Sequence, residues 1–254
     1  MSPPETGGLF FRNFERDRKE VMTGRKRVFS GMQPTGEPHI GNLIGAFANW
    51  VAMQEEYDTI YCVVDLHAMT APYDPDELRS ERTALGRTFL AVGIDPERSL
   101  IYHQSAVPQH LELTWILSTL SGIGHLERMT QFKEKADKAG QNLGLLAYPV
   151  LQAADILIHK VHAVPVGDDQ TQHLELTRDL AGRFNHRYGD EFPLPERTTP
   201  EIGARVMSLT DPTAKMSKSD PSPKSRILLT DDTDQIVRKI KAAVTDTGTE
   251  VAYD

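Results

Sequence analysis

The chain contains a single cysteine among its 254 residues, so no disulfide bond can form within it. That residue, Cys62, lies in the apolar run 60–64, which predicts a buried thiol in the protein core. The sequence also lacks an apolar run long enough to cross a bilayer and a recognisable signal peptide. These absences argue against a disulfide-stabilised secreted domain and a membrane-spanning protein, and they predict a cytoplasmic protein without a membrane partner.

Positive charge is in deficit, with 28 Lys and Arg residues against 36 Asp and Glu residues and a formal net charge of -8. This balance argues against a protein that coats nucleic acid generally, although it allows a local basic patch. The apolar and charged fractions, 39% and 25%, are ordinary for a globular protein. The length is sufficient for one large core, or for one core with a small appendage.

Residues 27–42 are the stretch around which the chain is organised. Val28 and Phe29 are predicted to end a short buried strand, and the glycines and prolines that follow predict a tight turn. Apolar residues recur at helical spacing from Ile40, and Pro38 suits the first helical position. Such a strand, turn and helix would direct free backbone N–H groups and a helix dipole at one point, which favours a nucleotide phosphate.

His39 and Asn42 are expected on the first turn of this helix, where they can donate hydrogen bonds to phosphate or ribose oxygens. Gly41 lies between them and leaves room for a base or a sugar against the backbone. Taken alone, the same residues fit an ordinary α/β turn with a surface histidine equally well. A second motif late in the chain weighs against that alternative.

Strands and helices alternate along the rest of the sequence. Further strands are predicted at residues 59–65, 99–104, 163–167 and 205–209, helices at 74–92, 110–120, 143–159, 171–188 and 233–244, and a loop at 193–200. This alternation implies a parallel sheet with helices on both faces. We therefore predict an α/β fold, a Rossmann-like doubly wound parallel sheet, in which right-handed crossovers bring the first turn and the late strand ends to one edge.

Asp155 is the most unusual polar residue, because it lies in a strongly apolar helix and a buried carboxylate is costly unless it binds a donor. His67 follows the end of a buried strand, where α/β sheets bind ligands, although a satisfied structural histidine would fit as well. His159 and His162 could suggest a metal, but no third ligand has a suitable spacing. We therefore predict no metal site in the protein.

The late motif, Lys215-Met216-Ser217-Lys218-Ser219, matches the lysine signature of class I aminoacyl-tRNA synthetases. Residues 39–42 resemble their histidine–glycine signature, with Asn42 in place of the final histidine. Blocks 30–36, 127–133, 153–157 and 164–170 resemble the tryptophanyl-tRNA synthetase family of the bacterial kind. Each block is moderately specific alone, but their occurrence in the family's order, from about Arg27 to the chain end, is very specific.

The resemblance implies an enzyme that joins L-tryptophan to ATP, releases pyrophosphate and transfers the tryptophanyl group to tRNA(Trp). The attacking carboxylate is already ionised at neutral pH, so catalysis needs positioning and charge stabilisation rather than a general base. By resemblance the catalytic residues are His39, Lys133, Lys215 and Lys218. Mg²⁺ would be carried by the phosphates of ATP rather than by a protein cage.

The resemblance also assigns residues to the two substrates. ATP would be bound by Gln33, Pro34, Thr35, Gly41, Asn42, Gly167, Asp168, Asp169, Val206, Lys215, Met216, Ser217, Lys218 and Ser219. Tryptophan would be bound by Phe29, His67, Gln152, Asp155, Val164, Val166 and Gln170. Asp155 would accept the indole N–H, and a buried acceptor of this kind can reject a ligand without the donor by roughly 10⁴–10⁵-fold. Many bacterial members carry methionine where this chain has Gln152, so indole packing is expected to differ if Gln152 faces the pocket.

The resemblance divides the chain into a flexible extension (1–26), a catalytic domain (27–212), and the lysine loop with the start of a C-terminal helical, tRNA-binding region (213–254). The family normally continues further, so a catalytic fragment or a shortened protein is expected, and a homodimer is implied. A tyrosyl-type synthetase is one alternative, disfavoured by residues 153–155 and 167–170. A non-catalytic paralogue that binds tryptophan or a protein partner is another, disfavoured by the intact lysine loop.

Overall fold

The computed structural model describes residues 24–130, 142–167, 170–198, 205–218 and 220–245. Its strands are β1 (Arg27–Met32), β2 (Asp58–Val63), β3 (Ser99–His103), β4 (Ala163–Pro165) and β5 (Glu196–Thr198). They form one sheet in the order β3-β2-β1-β4-β5, and every neighbouring pair is parallel. This is the strand order of a doubly wound Rossmann-like sheet, as predicted, and its direction of winding reverses between β1 and β4.

The helices connect and cover these strands. Helix α1 consists of Ile40–Asn42, a π-helical turn at Leu43–Phe47, and Ala48–Met53. The other helices are α2 (Asp65–Ala68), α3 (Pro75–Ala91), α4 (Gln109–Ser118), α5 (Ile123–Glu127), α6 (Leu143–Leu157), α7 (Thr171–Tyr188) and α8 (Thr233–Lys241). Across the described ranges, no helix has the length and apolarity that crossing a membrane would require.

Strand β2 is buried on both faces because its alternate side chains enter two different clusters. The cluster shared with α1 and α3 contains Phe47, Trp50, Tyr61, Val63, Leu85, Phe89 and Ile94. The cluster shared with α6 and α7 contains Phe29, Ile60, Cys62, Val64, Ile156, Val161, Val164, Val166 and Leu174. Cys62 is therefore the buried core thiol that the sequence predicts, and its burial raises the pKa of the thiol.

The predicted strand at residues 205–209 is wrong. This segment makes one isolated antiparallel bridge, from Met207 to Lys215, and does not join the sheet. The fifth strand is Glu196–Thr198, within the region that was predicted to be a loop. It is three residues long, it carries a polar sequence at the sheet edge, and two of its residues are exposed, so it leaves no apolar pattern to detect.

The Phe89→Ala substitution tests the core that supports β2. Phe89 is fully buried, and its ring lies 5.9 Å from that of Phe47 and 5.3 Å from that of Trp50. We expect the free energy of unfolding to fall by about 3–5 kcal/mol in urea denaturation, because the substitution leaves a cavity. Leu90→Ala is the matched control on the same helix, since Leu90 is 50% exposed, and should cost less than about 1 kcal/mol. Equal losses in both variants would contradict this description of the core.

Candidate active site

The turn between β1 and α1 is arranged around His39. β1 extends to Met32, so the turn is shorter than predicted, and His39 rather than Pro38 immediately precedes the first helical residue. The prediction that Pro38 occupies the first helical position is therefore wrong. His39 is the helix N-cap: Gly41 N–H donates to His39 Nδ1 at 3.1 Å, and His39 N–H donates to Asn42 Oδ1 at 3.0 Å. This reciprocal pair is a capping box built from a histidine and an asparagine.

The prediction of free backbone donors is also wrong for the helical end of this turn, residues 40–42. Ile40 N–H donates to Ile227 O at 2.9 Å, and Asn42 N–H donates to His39 O at 2.8 Å. Gly41 N–H is used by the His39 imidazole. In the described turn 40–42 every backbone N–H is therefore satisfied within the chain. An anion at the start of α1 would therefore be bound by side chains and by the helix dipole rather than by the N–H groups of residues 40–42.

The His39 imidazole is a neutral donor. Because Nδ1 accepts the Gly41 N–H, the ring proton is assigned to Nε2. Burial, together with the positive charges of Lys218, Arg226 and Lys215, lowers the pKa of His39 to about 4. At neutral pH the ring therefore stays uncharged and offers one N–H, although several cations surround it.

The late lysine loop packs against this early turn, as predicted. Segment 227–229 pairs with segment 38–40: His39 and Leu228 form an antiparallel bridge, and Leu229 N–H donates to Pro38 O at 3.0 Å. The lysine loop itself pairs with the segment around Val206 in a hairpin-like contact, in which Met216 N–H donates to Val206 O at 3.0 Å. Two motifs far apart in sequence thus face one another.

Lys218 lies directly over the glycine turn. A Cβ placed on Gly36 would lie 3.8 Å from Lys218 Cβ, and Gly36 has a positive φ of 67° that suits glycine. Gly36 N–H donates to Glu81 Oε1 at 2.8 Å. Burial lowers the pKa of the Lys218 ammonium to about 8, and the nearby Glu81 carboxylate opposes that shift. With Lys215 and Arg226, Lys218 makes this corner of the protein strongly cationic.

A cavity of about 230 Å³ lies at the carboxyl ends of β1, β2 and β4. It is lined by Phe29, Ser30, Gly31, Gln33, Val64, His67, Tyr148, Gln152, Asp155, Ile156, Val164, Pro165, Val166 and Gln170. Every residue that was assigned to tryptophan lines this one cavity. Gln33, assigned to ATP, lines it too, and three residues further on the same turn reaches Lys218. The cavity and the cationic corner are therefore neighbours.

Asp155 lies in the cavity wall with 1% of its surface exposed. One of its oxygens, Oδ2, accepts from His67 Nε2 at 2.7 Å, and both oxygens lie within 2.8 Å of Gln104 Nε2. His110 Nδ1 lies 2.7 Å from Oδ1. Burial opposes ionisation, but the His110 and His67 imidazoles outweigh it and hold the pKa of Asp155 below its ordinary value. The cavity thus contains a fixed carboxylate, and His67 is both a cavity residue and a satisfied histidine.

Gln152 also faces the cavity, and its Nε2 donates to Gln170 Oε1 at 3.3 Å. A pair of amide side chains therefore occupies the part of the wall where many bacterial members of the family place a methionine. This pair adds hydrogen-bonding groups to an otherwise apolar side of the cavity.

The described residues assigned to ATP gather around the same edge. Gln33, Pro34 and Thr35 form the turn, Gly41 and Asn42 begin α1, Gly167 follows β4, and Val206 and 215–218 form the hairpin. A Cβ on Gly41 would lie 3.5 Å from Val206 Cβ, so the hairpin contacts the helix start directly. Lys133, Asp168, Asp169 and Ser219 lie outside the described residues. The functional roles of all these residues remain predictions.

Residues of the site that were not predicted from the sequence include Gln104, His110, Tyr148 and Arg226. Gln104 binds Asp155 and follows β3 directly, so the rule that found His67 at the end of β2 could have found it. Tyr148 lines the cavity too. It precedes Gln152 by four residues and Asp155 by seven on the same helix, so the three side chains lie on one helical face. Arg226 lies beyond the lysine signature, and no signal in the sequence singles it out.

No three His, Cys, Asp or Glu side chains in the described part of the chain are grouped so that they could hold a metal ion. His159 Nε2 instead lies 2.6 Å from the Tyr102 hydroxyl, and His162 Nδ1 accepts from Arg27 N–H at 3.2 Å.

A doubly wound sheet with a histidine turn beneath a lysine loop has the architecture of a class I tRNA synthetase, and the family model described as tRNA synthetases class I (W and Y) matches residues 22–254. A tryptophan--tRNA ligase of Caldanaerobacter subterraneus subsp. tengcongensis is 54% identical over 230 residues, which cover 90% of this chain and 70% of that protein. The chain belongs to this family, on its tryptophan--tRNA ligase branch.

Solved structures agree with this assignment. The tryptophanyl-tRNA synthetase of Mycoplasma pneumoniae has a TM-score of 0.80 and 39% identity, over 88% of this chain and 67% of that chain. The Campylobacter jejuni enzyme, solved with ADP and tryptophan, has a TM-score of 0.80 and 39% identity, over 87% of this chain and 68% of that chain.

Gly41→Ala tests the packing around His39. A methyl group at position 41 would lie 2.9 Å from His39 Cε1 and 3.0 Å from Nδ1, so the imidazole must move out of its buried position. We expect the pKa of His39 to rise from about 4 toward 6.5 in an NMR titration of the ring signals. Gly45→Ala is the control, because no heavy atom lies within 4 Å of a Cβ at that position. A His39 titration below pH 5 in Gly41→Ala would contradict the geometry.

Proposed function

We propose that this chain activates L-tryptophan with ATP, forming tryptophanyl-adenylate and pyrophosphate, and then transfers the tryptophanyl group to tRNA(Trp). The observation that carries the proposal is a cavity containing a buried carboxylate, Asp155, joined by one short turn to a cationic corner that suits a triphosphate. Membership of the tryptophan--tRNA ligase branch supports it. The Campylobacter jejuni relative, solved with both ADP and tryptophan, supports the pairing of the two ligands.

The cavity suits an indole side chain. Phe29, Val164 and Val166 provide apolar walls, while Asp155 provides an acceptor for the indole N–H. The donors already around Asp155 keep the carboxylate ionised and oriented without occupying the cavity itself. An amino acid without a ring N–H would lack this additional hydrogen bond to Asp155, which disfavours its binding relative to tryptophan.

The cationic corner suits the chemical step. A carboxylate oxygen of tryptophan attacks the α-phosphorus of ATP, a new P–O bond forms, and the bond to the bridging oxygen of the β-phosphate breaks as pyrophosphate leaves. The neutral His39 Nε2–H can donate to a phosphate oxygen, while Lys215 and Lys218 stabilise the charge on the departing pyrophosphate. Mg²⁺ would enter with ATP, bound to its phosphates, rather than in a protein cage.

The remaining assignments follow the resemblance. We propose that Lys133 and Ser219 contact the phosphates and that Asp168 and Asp169 contact the ribose side of the nucleotide. Residues 27–212 would form the catalytic domain, and 213–254 the lysine loop with the start of a tRNA-binding region. The protein would act in the cytoplasm.

A homodimer is also proposed. Helices α4 and α5 leave several large apolar side chains exposed, among them Trp115 (75%), Ile123 (65%) and Leu111 (52%). Leu111 and Trp115 are four residues apart on α4 and therefore lie on one face of that helix. An exposed apolar face of this kind suits contact with a second copy of the chain.

The proposal is tested by exchange of labelled pyrophosphate into ATP, measured with each of the amino acids in turn. Tryptophan alone should support exchange at low concentration. Exchange with tyrosine instead would favour the sister synthetase. Tryptophan binding in a calorimetric titration, without exchange by any amino acid, would favour a non-catalytic paralogue and overturn the proposal.

Lys218→Ala should slow adenylate formation by on the order of 10²-fold, because a cation that stabilises charge on the phosphates is lost. The dissociation constant for tryptophan should change by no more than a few-fold, since Lys218 lies over the turn and not in the cavity wall. Single-turnover adenylate formation and tryptophan titration provide the two readouts. Lys26→Ala, an exposed lysine before β1, should leave both unchanged. Comparable losses of both quantities in Lys218→Ala would contradict this role.

The pKa of Lys218, lowered to about 8, predicts a pH dependence. The side chain is a charged ammonium below this pKa and a neutral amine above it, so kcat/KM for ATP at saturating tryptophan should fall as the pH rises past about 8. Lys218→Arg carries a guanidinium that stays charged, and the fall should disappear from its pH profile. An identical fall in both proteins would assign it to another group.

A further inference from the structure

A chain of polar side chains runs behind Asp155, away from the cavity. His110 of α4 is fully buried, with its Nδ1 2.7 Å from Asp155 Oδ1. Apart from this ion-pair contact, His110 Nδ1 has no hydrogen-bond partner among the described residues, so Asp155 is the acceptor available to it. On its other side, His110 Nε2 lies 3.0 Å from the hydroxyl of Tyr102 on β3. The same hydroxyl lies 2.6 Å from His159 Nε2.

The chemistry of these groups fixes which atom donates and which accepts in each hydrogen bond of the series. An ionised carboxylate only accepts, so the His110 proton must be on Nδ1. A neutral imidazole then accepts at Nε2, and the Tyr102 hydroxyl is the group that donates to it. Having donated its proton, the Tyr102 oxygen accepts from His159 Nε2–H. The direction of each hydrogen bond in this series therefore depends on where the proton lies in the preceding one, starting from Asp155.

Tyr102 stays protonated in this position. Burial raises its pKa, and the neighbouring Cys62 and Asp155 raise it further. The pKa of Cys62 is raised as well, mainly by burial, so the group facing Tyr102 is a thiol and not a thiolate. The phenol is thus a permanent donor next to His110.

The far end of the chain returns to the cavity wall. The His159 ring stacks on Phe29, with centroids 5.6 Å apart and an angle of 19° between the planes. Phe29 lines the cavity, and the Arg27 guanidinium donates to His159 O at 3.1 Å. The relay His159–Tyr102–His110 therefore connects two walls of the cavity, the acceptor wall at Asp155 and the aromatic wall at Phe29.

We propose that Tyr102 is a positioning residue that sets selectivity for the indole N–H, because its hydroxyl, together with Asp155, holds the His110 ring in the tautomer and position that orient the carboxylate. This inference rests on the proposed function and extends it to a residue that does not line the cavity. Without the hydroxyl, His110 Nε2 loses the donor that holds the far side of the ring, and only the contact with Asp155 keeps the proton on Nδ1. The carboxylate is then held less firmly, and it discriminates less between ligands with and without a ring N–H.

Tyr102→Phe, which removes only the hydroxyl, tests the proposal. Pyrophosphate exchange is measured with tryptophan and with β-(3-benzothienyl)alanine, a tryptophan analogue with sulfur in place of the ring N–H. The ratio of their kcat/KM values should fall by about tenfold in the variant, mainly through a higher KM for tryptophan. The kcat and the KM for ATP should stay close to wild type. Tyr188→Phe is the matched control, since Tyr188 is 57% exposed at the end of α7, and should leave the ratio unchanged.

A second background separates positioning from packing. In His110→Asn the amide nitrogen replaces Nδ1 and always carries protons, so no tautomer needs to be fixed. Adding Tyr102→Phe to this variant should change the selectivity ratio by less than about twofold. An equal fall in both backgrounds, or an equal loss of kcat/KM for both amino acids in Tyr102→Phe, would mean that Tyr102 acts by packing alone and would overturn the proposal.

The wild-type protein provides an independent measurement. Long-range ¹H–¹⁵N spectra should show His110 protonated on Nδ1 and His159 protonated on Nε2. The opposite tautomers would overturn the relay even if the variants fail to fold. A wild type that shows these tautomers but no tryptophan-dependent exchange would refute the proposed function, and with it a role in tryptophan selectivity, while leaving the hydrogen-bonded chain in place.

Discussion

The antiparallel contact between segments 38–40 and 227–229 is the constraint on which the site depends. It brings a late cationic loop over an early histidine turn, across almost the whole length of the described chain. In this contact the Ile40 N–H donates to Ile227 O, and in the helix cap the Gly41 N–H donates to His39 Nδ1. At the start of α1 the site therefore offers a neutral imidazole and nearby cations to a ligand, rather than the backbone N–H groups of residues 40–42. A neutral donor among cations suits an anionic ligand, because no charge is lost on the histidine when the pH changes near neutrality.

A second constraint is the cost of burying Asp155 in the apolar helix α6. The protein meets this cost with three side chains that contact the carboxylate: Gln104 and His110, which do not line the cavity, and His67, which does. Two elements of the other half of the sheet, β2 and β3, supply two of these donors at their carboxyl ends. The orientation of Asp155 therefore depends on residues at the ends of two sheet strands. Through the hydrogen bonds of the relay it also depends on Tyr102 and His159.

Much of this arrangement could be predicted from local sequence signals, and the failures have physical reasons. The strand predicted at residues 59–65 corresponds to β2 (Asp58–Val63), and the helix predicted at 74–92 corresponds to α3 (Pro75–Ala91). Strand β5 was missed because a short polar edge strand carries no pattern of its own. The free N–H groups were wrongly predicted because their partner, segment 227–229, is distant in sequence and becomes a neighbour only in the fold. The importance of Asp155 could be anticipated from a lone carboxylate in an apolar helix, and Gln104 from its position at the end of β3. The role of His110 became visible only from its position in space.

The central claim is that tryptophan and ATP bind side by side. The indole lies in the cavity at Asp155, and the triphosphate lies in the cationic corner between His39 and the lysine loop. A crystal structure of the chain with tryptophan and a non-hydrolysable ATP analogue tests it most directly. The account predicts the indole nitrogen within about 3 Å of an Asp155 oxygen, and phosphate oxygens in contact with His39 Nε2 and with the ammonium groups of Lys215 and Lys218. An indole ring turned away from Asp155, or a nucleotide bound away from His39, would contradict it.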